Sequence, residues 1–308
     1  MTVATYSTAW GHTNTTNFRA WGSALSAGIQ GCGLSQTADT GQINWTTVTY
    51  TATANYSSGY EIYQFTDTLQ ATYPIFIKIE YGTGAQTGTT TGEPAIWITV
   101  GEGSNGSGTL TGTLSNRTQI VGAGTANQIE SNTLPYPTYI CFNGSYLGIV
   151  HKAGGLGWPG NGYVNNGGIF MIGRGTNTSG AYVGGEIVFI CSVINNNNNP
   201  QATIQCINTV AGTLYTNTTG TFTCAWFTPS STTVNGLNFQ LYPCWSIFNQ
   251  VEPINWLLYG LNAEIGAYTT VTATPFGSTQ HTYLMTGQSS YGWGVNASTA
   301  YSILMLWE

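Results

Sequence analysis

Apolar and polar positions alternate by twos along most of this chain, and one stretch near the start departs from that rhythm. In "YPIFIKIEYG", Ile75, Ile77, Ile79 and Tyr81 fall on one side while Phe76, Lys78 and Glu80 fall on the other, the period of a half-buried strand. The runs "YEIYQFTDTL", "AIWITVG", "EIVFICSVI", "ATIQCINTV", "LNFQLY" and "YSILMLWE" are also short, rich in Ile, Val, Tyr, Phe and Trp, and bounded by Gly, Pro, Asn or Ser. "EIVFICSVI" is apolar on both sides from Ile187 to Val193, which predicts a central strand. Lys78 and Glu80 read as charges on the outer face of an exposed strand, where charge deters pairing with stray chains.

The exception is "NTTNFRAWGSALSAGIQGCG". Phe18, Trp21, Leu25 and Ile29 recur at spacings of three and four, Asn14 to Asn17 offer an N-cap, and Gly31 sits where a C-cap would. Gly22 and Gly28 weaken this helix by about 1 kcal/mol each. A short helix cannot bury such a stripe alone, so Phe18, Trp21, Leu25 and Ile29 must dock, either on the chain's own sheet or as an attachment device on a neighbouring subunit.

The expected fold class is therefore mainly β: antiparallel β-sandwich or jelly-roll-like domain architecture with one short N-terminal helix. The Asn run from Asn195 to Asn199, followed by Pro200, is the best boundary signal. It divides the chain into 1–198, helix plus sandwich, and 199–308, a second β-rich domain or a continuation of the same sheets.

Composition narrows the function. Apolar residues make up 41% of the 308, which excludes a disordered chain, but charged residues are only 5%, against about 25% in ordinary globular domains. The surface must be met by Thr, Asn, Ser, Gln, Gly and Tyr, as in proteins packed into a large assembly or working outside a cell. Arg19, Lys78, Arg117, Lys152 and Arg174 are scattered in a chain of net charge −6, so no basic face for nucleic acid can be assembled. No apolar run reaches the roughly 18 residues of a membrane-spanning helix, and the first residues lack the pattern of a signal peptide, so membrane insertion and ordinary export are not expected. Synthesis in a cytoplasm then implies that Cys32, Cys141, Cys191, Cys206, Cys224 and Cys244 stay reduced.

Motifs for chemistry are sparse. His12, His151 and His281 lie far apart without metal-ligand spacing, no C-x-x-C occurs, and the glycine patterns do not open helices, so no metal or cofactor is expected. Paired carboxylates for sugar hydrolysis would have to come from Glu61, Asp67, Glu80, Glu102 and Glu186, and no fixed spacing ties any two, so no catalytic residue is assigned. The remaining lead is aromatic: "GLGWPGNGY" sets Trp158 and Tyr163 in a Pro/Gly loop, a candidate contact for a glycan or a partner.

The helix, "YEIYQFTDTLQATYPIFIKIEYGTG", the Gly/Thr loop after it and "PAIWITVGEGSNGSGTLTG" together resemble virion structural proteins of tailed bacteriophages, over roughly residues 15 to 115. The resemblance implies a non-enzymatic, multi-copy particle subunit made in the bacterial host cytoplasm, tail- or baseplate-associated or part of a fibre. Head decoration and host-glycan binding or hydrolysis are its alternatives. Its implied partners are other virion proteins, copies of itself and a host surface glycan. Heptads and Gly-X-Y repeats are missing, which favours a compact knob or adaptor over a rod.

Overall fold

The computed structural model describes residues 1–9, 14–53, 55–84, 94–121, 135–151, 168–175, 186–196, 199–217, 223–224, 230–234, 237–245, 253–261, 269–273, 280–290 and 301–307. The first part of the chain runs β1 (Thr2–Ala9), α1 (Thr15–Gly31), β2 (Ser35–Gln36), β3 (Tyr56–Gln64), β4 (Phe76–Thr83), β5 (Pro94–Gly101), β6 (Gly103–Ser104), β7 (Leu110–Thr111) and β8 (Thr118–Val121). The middle holds β9 (Pro135–Phe142), β10 (Tyr146–His151), β11 (Gly168–Arg174), β12 (Ile187–Asn196), β13 (Asn199–Asn208) and β14 (Thr213–Asn217). The last part holds β15 (Thr223–Cys224), β16 (Ser230–Val234), β17 (Leu237–Trp245), β18 (Pro253–Leu261), β19 (Thr270–Ala273), β20 (His281–Ser290) and β21 (Tyr301–Leu306).

These strands form antiparallel sheets in layers, so the mainly β expectation holds. A seven-stranded sheet has the order β1-β9-β10-β11-β12-β13-β14, and a five-stranded sheet the order β2-β3-β4-β5-β8. The third large sheet runs β15-β17-β18-β21-β20-β19, with β16 also on β17. Its end strands β16 and β19 approach each other, so this sheet curls toward closure.

The period-two pattern decides what each face of the seven-stranded sheet buries. Ile140, Phe142, Leu147, Ile149, Phe170, Ile172, Val188 and Ile190 face the core shared with α1 and the five-stranded sheet. The alternate positions, Cys141, Val150, Ile169, Met171 and Cys191, are also buried, on the other face. The third sheet covers it: Cys141 Sγ donates to the Leu306 carbonyl at 3.1 Å, and the Tyr139 and Trp307 rings meet edge to face at 6.1 Å. β12 lies inside this doubly covered sheet, as its two apolar sides require.

Helix α1 starts where Asn14 accepts bonds from the Thr16 and Asn17 amides at 2.8 and 3.3 Å, leaving it with a capped N-terminus. Phe18, Trp21, Leu25 and Ile29 are all within 1% of complete burial in the chain's own core. The stripe is thus docked internally, and these four side chains offer no surface to a neighbouring subunit. The two glycines that weaken the helix are there for close packing. A Cβ on Gly22 would sit 2.0 Å from the Trp45 ring, and one on Gly28 would sit 2.8 Å from Ile140 Cδ1.

Two further expectations change. The Asn run does not separate domains among the described residues: Asn196 pairs with Asn199, and β13 continues the ladder begun by β12. The division at 198/199 falls between two paired neighbours of one sheet, the continuation that the sequence left open, and the change of sheet comes between β14 and β15. Turn-forming residues mark hairpin tips as well as linkers, and local sequence cannot separate the two. Likewise β4 is the middle strand of its sheet, so Lys78 and Glu80 guard no edge. Their face is outward, as the alternation requires, but both are bonded there.

Candidate functional site

The candidate acids are dispersed over the fold. Glu61 of β3 points inward, on the side of Tyr63, Tyr81 and α1, and is 2% exposed. Ser26 Oγ donates to Oε1 at 2.8 Å and Trp45 Nε1 at 3.1 Å, while the hydroxyls of Tyr63 and Tyr81 donate to Oε2 at 2.8 and 2.6 Å. Burial first, and then the Glu61 charge, push both tyrosines above the usual phenol range. Four donors from the helix, the following loop and two strands therefore converge on one carboxylate. The alternation of "YEIYQF" already aligned Glu61 with Tyr63 and Phe65; Ser26 and Trp45 could only be found through the fold.

Asp67 and Arg174 make a two-point ion pair, with Nε to Oδ2 at 2.5 Å and the second nitrogen to Oδ1 at 2.8 Å. The Arg174 side chain has no exposure, donates also to the Tyr73 carbonyl at 2.7 Å, and lies near the Phe65 ring. This pair ties the β3–β4 connection of one sheet to β11 of the other.

On the outer face of the five-stranded sheet, Arg117 reaches Glu80 at 2.7 Å and lies 4.2 Å from the Trp97 ring centroid. Lys78 donates to the Gly108 carbonyl at 2.7 Å, with its charge 4.6 Å from the Tyr60 ring. Asp39 receives Thr37, Ser104 and the Gly108 amide. Its slight burial opposes ionisation, but those hydrogen bonds outweigh it and lower its pKa. Glu80 and Glu61 sit on opposite faces of the sheet because they pair with Tyr60 and Ile79 in adjacent registers. They cannot act as a carboxylate pair.

Glu102 occupies a cleft of about 370 Å³ lined by Thr72, Tyr73, Thr111 and Thr209, where it is the one acid among the described residues; its Oε1 is buried without a hydrogen-bond partner. Glu186 is half-buried and uses its carbonyl to accept the Thr209 amide at 3.0 Å. No group of three or more His, Cys, Asp or Glu that could hold a metal occurs among the described residues. His151 is buried, with Nδ1 2.7 Å from Thr138 Oγ1, and burial lowers its pKa to about 3. His281 is partly buried at the third sheet, and His12 lies outside the described residues. So do Trp158 and Tyr163, the aromatic contact candidates.

No family model matches this chain. No curated protein is significantly similar to it, and no solved structure matches its fold. Among the described residues no helix is long and apolar enough to cross a membrane.

The geometry therefore gathers charge into internal ties. Each described cation is engaged with its own chain: Arg19 with the Val48 carbonyl at 2.6 Å, Lys78 with Gly108, Arg117 with Glu80 and Arg174 with Asp67. Chemically, these contacts fasten layers and loops to one another.

Proposed function

We propose that this protein is a non-enzymatic structural subunit of a bacteriophage particle, present in many copies and associated with the tail, baseplate or a fibre. The observation that carries the reading is the use of charge. With 5% charged residues in the chain and every described cation bonded internally, contacts with neighbours fall to neutral Thr, Asn, Ser and Tyr surfaces. Such surfaces pack at high local concentration without like-charge repulsion. The layered antiparallel body, with both faces of its central sheet buried, supports a rigid load-carrying role.

Gold-labelled antibody raised against the chain, applied to purified particles, tests the reading. Label on the tail or baseplate is the expected result. Label on the head supports the head-decoration variant, and a chain absent from washed particles overturns the proposal.

A second reading, binding of a host surface glycan, draws on the cleft at Glu102. A carboxylate oxygen without a partner beside Thr72, Tyr73, Thr111 and Thr209 has the polar character of a sugar site. Retention of the chain on host polysaccharide, lost in Glu102→Ala, would favour it.

A further inference from the structure

We propose that β1 is a self-pairing edge, through which two copies of this chain join their seven-stranded sheets into one around a two-fold axis. β1 pairs with β9 through eight consecutive registers, Thr2↔Phe142 to Ala9↔Pro135, with no bulge, and no described strand lies on its other side. Met1, Thr2, Val3, Thr5 and Ser7 are exposed, with Met1 at 43% and Val3 at 37%, while Ala4, Tyr6 and Thr8 are half-buried.

Sheet edges are ordinarily blunted by shortness, Pro, Lys or a bulge, because unpaired N–H and C=O groups template further pairing. The other end strands follow that rule: β2, β8, β14, β15, β16 and β19 are two to five residues long. β8 is also tucked against β11, where a Cβ on Gly168 would lie 1.6 Å from the Ile120 carbonyl oxygen. β1, "TVATYSTA", is eight residues long and has neither Pro nor a charged side chain. Ala4 and Tyr6 pack on the core beside α1, so the edge is held rigid and its pairing costs little ordering entropy.

The same features select a second copy as the occupant. Pairing about a two-fold brings the side chains at the middle of the strand near their own equivalents, which penalises charge there, and this strand carries none. A two-fold normal to the sheet reverses strand direction and keeps every side chain on its face, so paired positions share parity. The strand then overlaps best about Thr5 or Tyr6. Thr5 is favoured, because a Tyr6 centre would oppose two rings already packed at α1, whereas opposed threonines are a stabilising cross-strand pair. The expected register sets Thr5 against Thr5 of the second copy and Val3 against its Ser7. So narrow an interface belongs to the low end of specific contacts, with dissociation in roughly the micromolar range.

The test uses the full chain in solution and does not rest on the particle reading, which is decided separately by labelling. Sedimentation velocity over a concentration series is expected to show a monomer–dimer equilibrium. Val3→Lys with Thr5→Lys, both at exposed positions, should abolish the dimer while the circular-dichroism melt stays unchanged. Under mild oxidation Thr5→Cys should cross-link with itself. Val3→Cys alone and Ser7→Cys alone should not, since their equivalents lie about 13 Å apart, beyond disulfide reach. A mixture of those two variants should cross-link. A monomer at every concentration, a dimer that survives the two lysines, or a different cross-linking pattern overturns the proposal.

Discussion

Replacing Glu61 should separate the worth of a buried acceptor from the worth of its shape. In Glu61→Leu the four donors lose their target. Tyr63 can be rehoused, since it already lies 3.3 Å from Ser26 Oγ, which also accepts from Gln30 at 3.0 Å; the Ser26 proton, given to Glu61, loses its acceptor. Trp45 Nε1 and the Tyr81 hydroxyl keep no alternative acceptor in that set. A stranded buried donor costs about 1–3 kcal/mol, and removing the carboxylate relieves part of its own desolvation cost. The expected net loss is about 3 kcal/mol. Glu61→Gln keeps the outline and one acceptor oxygen, and its amide can donate to a tyrosine oxygen, so about 1 kcal/mol is expected. Urea unfolding followed by tryptophan fluorescence gives both values, with unchanged denaturant slopes as the sign that only stability moved. Equal losses in the two variants, or no loss in Glu61→Leu, would refute the reasoning.

Three other outcomes follow from the described contacts. His151 is held near pKa 3 by burial against about 6.5 when unfolded, so its contribution is complete above pH 6.5 and is lost as pH falls toward 3; in His151→Gln the stability–pH curve should be flatter across that window, measured by urea midpoints. Arg174→Met should cost about 3–5 kcal/mol by stranding Asp67 and the Tyr73 carbonyl, and adding Asp67→Leu should recover part of the loss in the same melts. Cys32, Cys141 and Cys191 are buried with thiols pushed up by burial, Cys32 to about 11, so alkylation mapped by mass spectrometry should be slow in native protein and complete in denaturant.

How much of this was legible in the sequence depended on whether local pattern or distant pairing decided the matter. The helix could be read to within a residue, because its Asn14 cap and apolar stripe are local signals. The faces of β4 could be read for the same reason. β1 was hidden because Thr and Ser fill its alternate positions, and β9 because Pro135 and Pro137 argue against an interior strand. Both prolines lie toward the β1 end of the ladder, opposite Ala9 and Ser7. The central place of β4 was not legible, since strand order is set by long-range pairing. The acids were the clearest case: sequence could offer Glu61, Asp67 and Glu80 only as candidates without assigned roles, and only the fold brought Trp45, Arg174 and Arg117 to them.

The layers also bear on whether the last part of the chain is a module of its own. A sheet that is apolar on both faces needs two covers. The five-stranded sheet with α1 supplies one, and the end of the chain supplies the other through the buried side chains of Met305 and Trp307, with the Leu306 carbonyl bonded to Cys141. A Cβ on Gly148 of β10 would come within 2.6 Å of Met305 Sδ, so the two layers touch closely. Ending the chain at residue 217 would leave the seven-stranded sheet complete in its pairing and bare on one face, with Cys141, Val150, Ile169, Met171 and Cys191 open to water. Chain continuity and hydrogen-bonded sheets divide the molecule after β14, whereas burial binds its parts together. Burial decides cooperativity, because the exposed face would cost far more than the few bonds that cross between sheets. The third sheet is accordingly a cover on which the central layer depends, and the full chain is expected to unfold in a single transition.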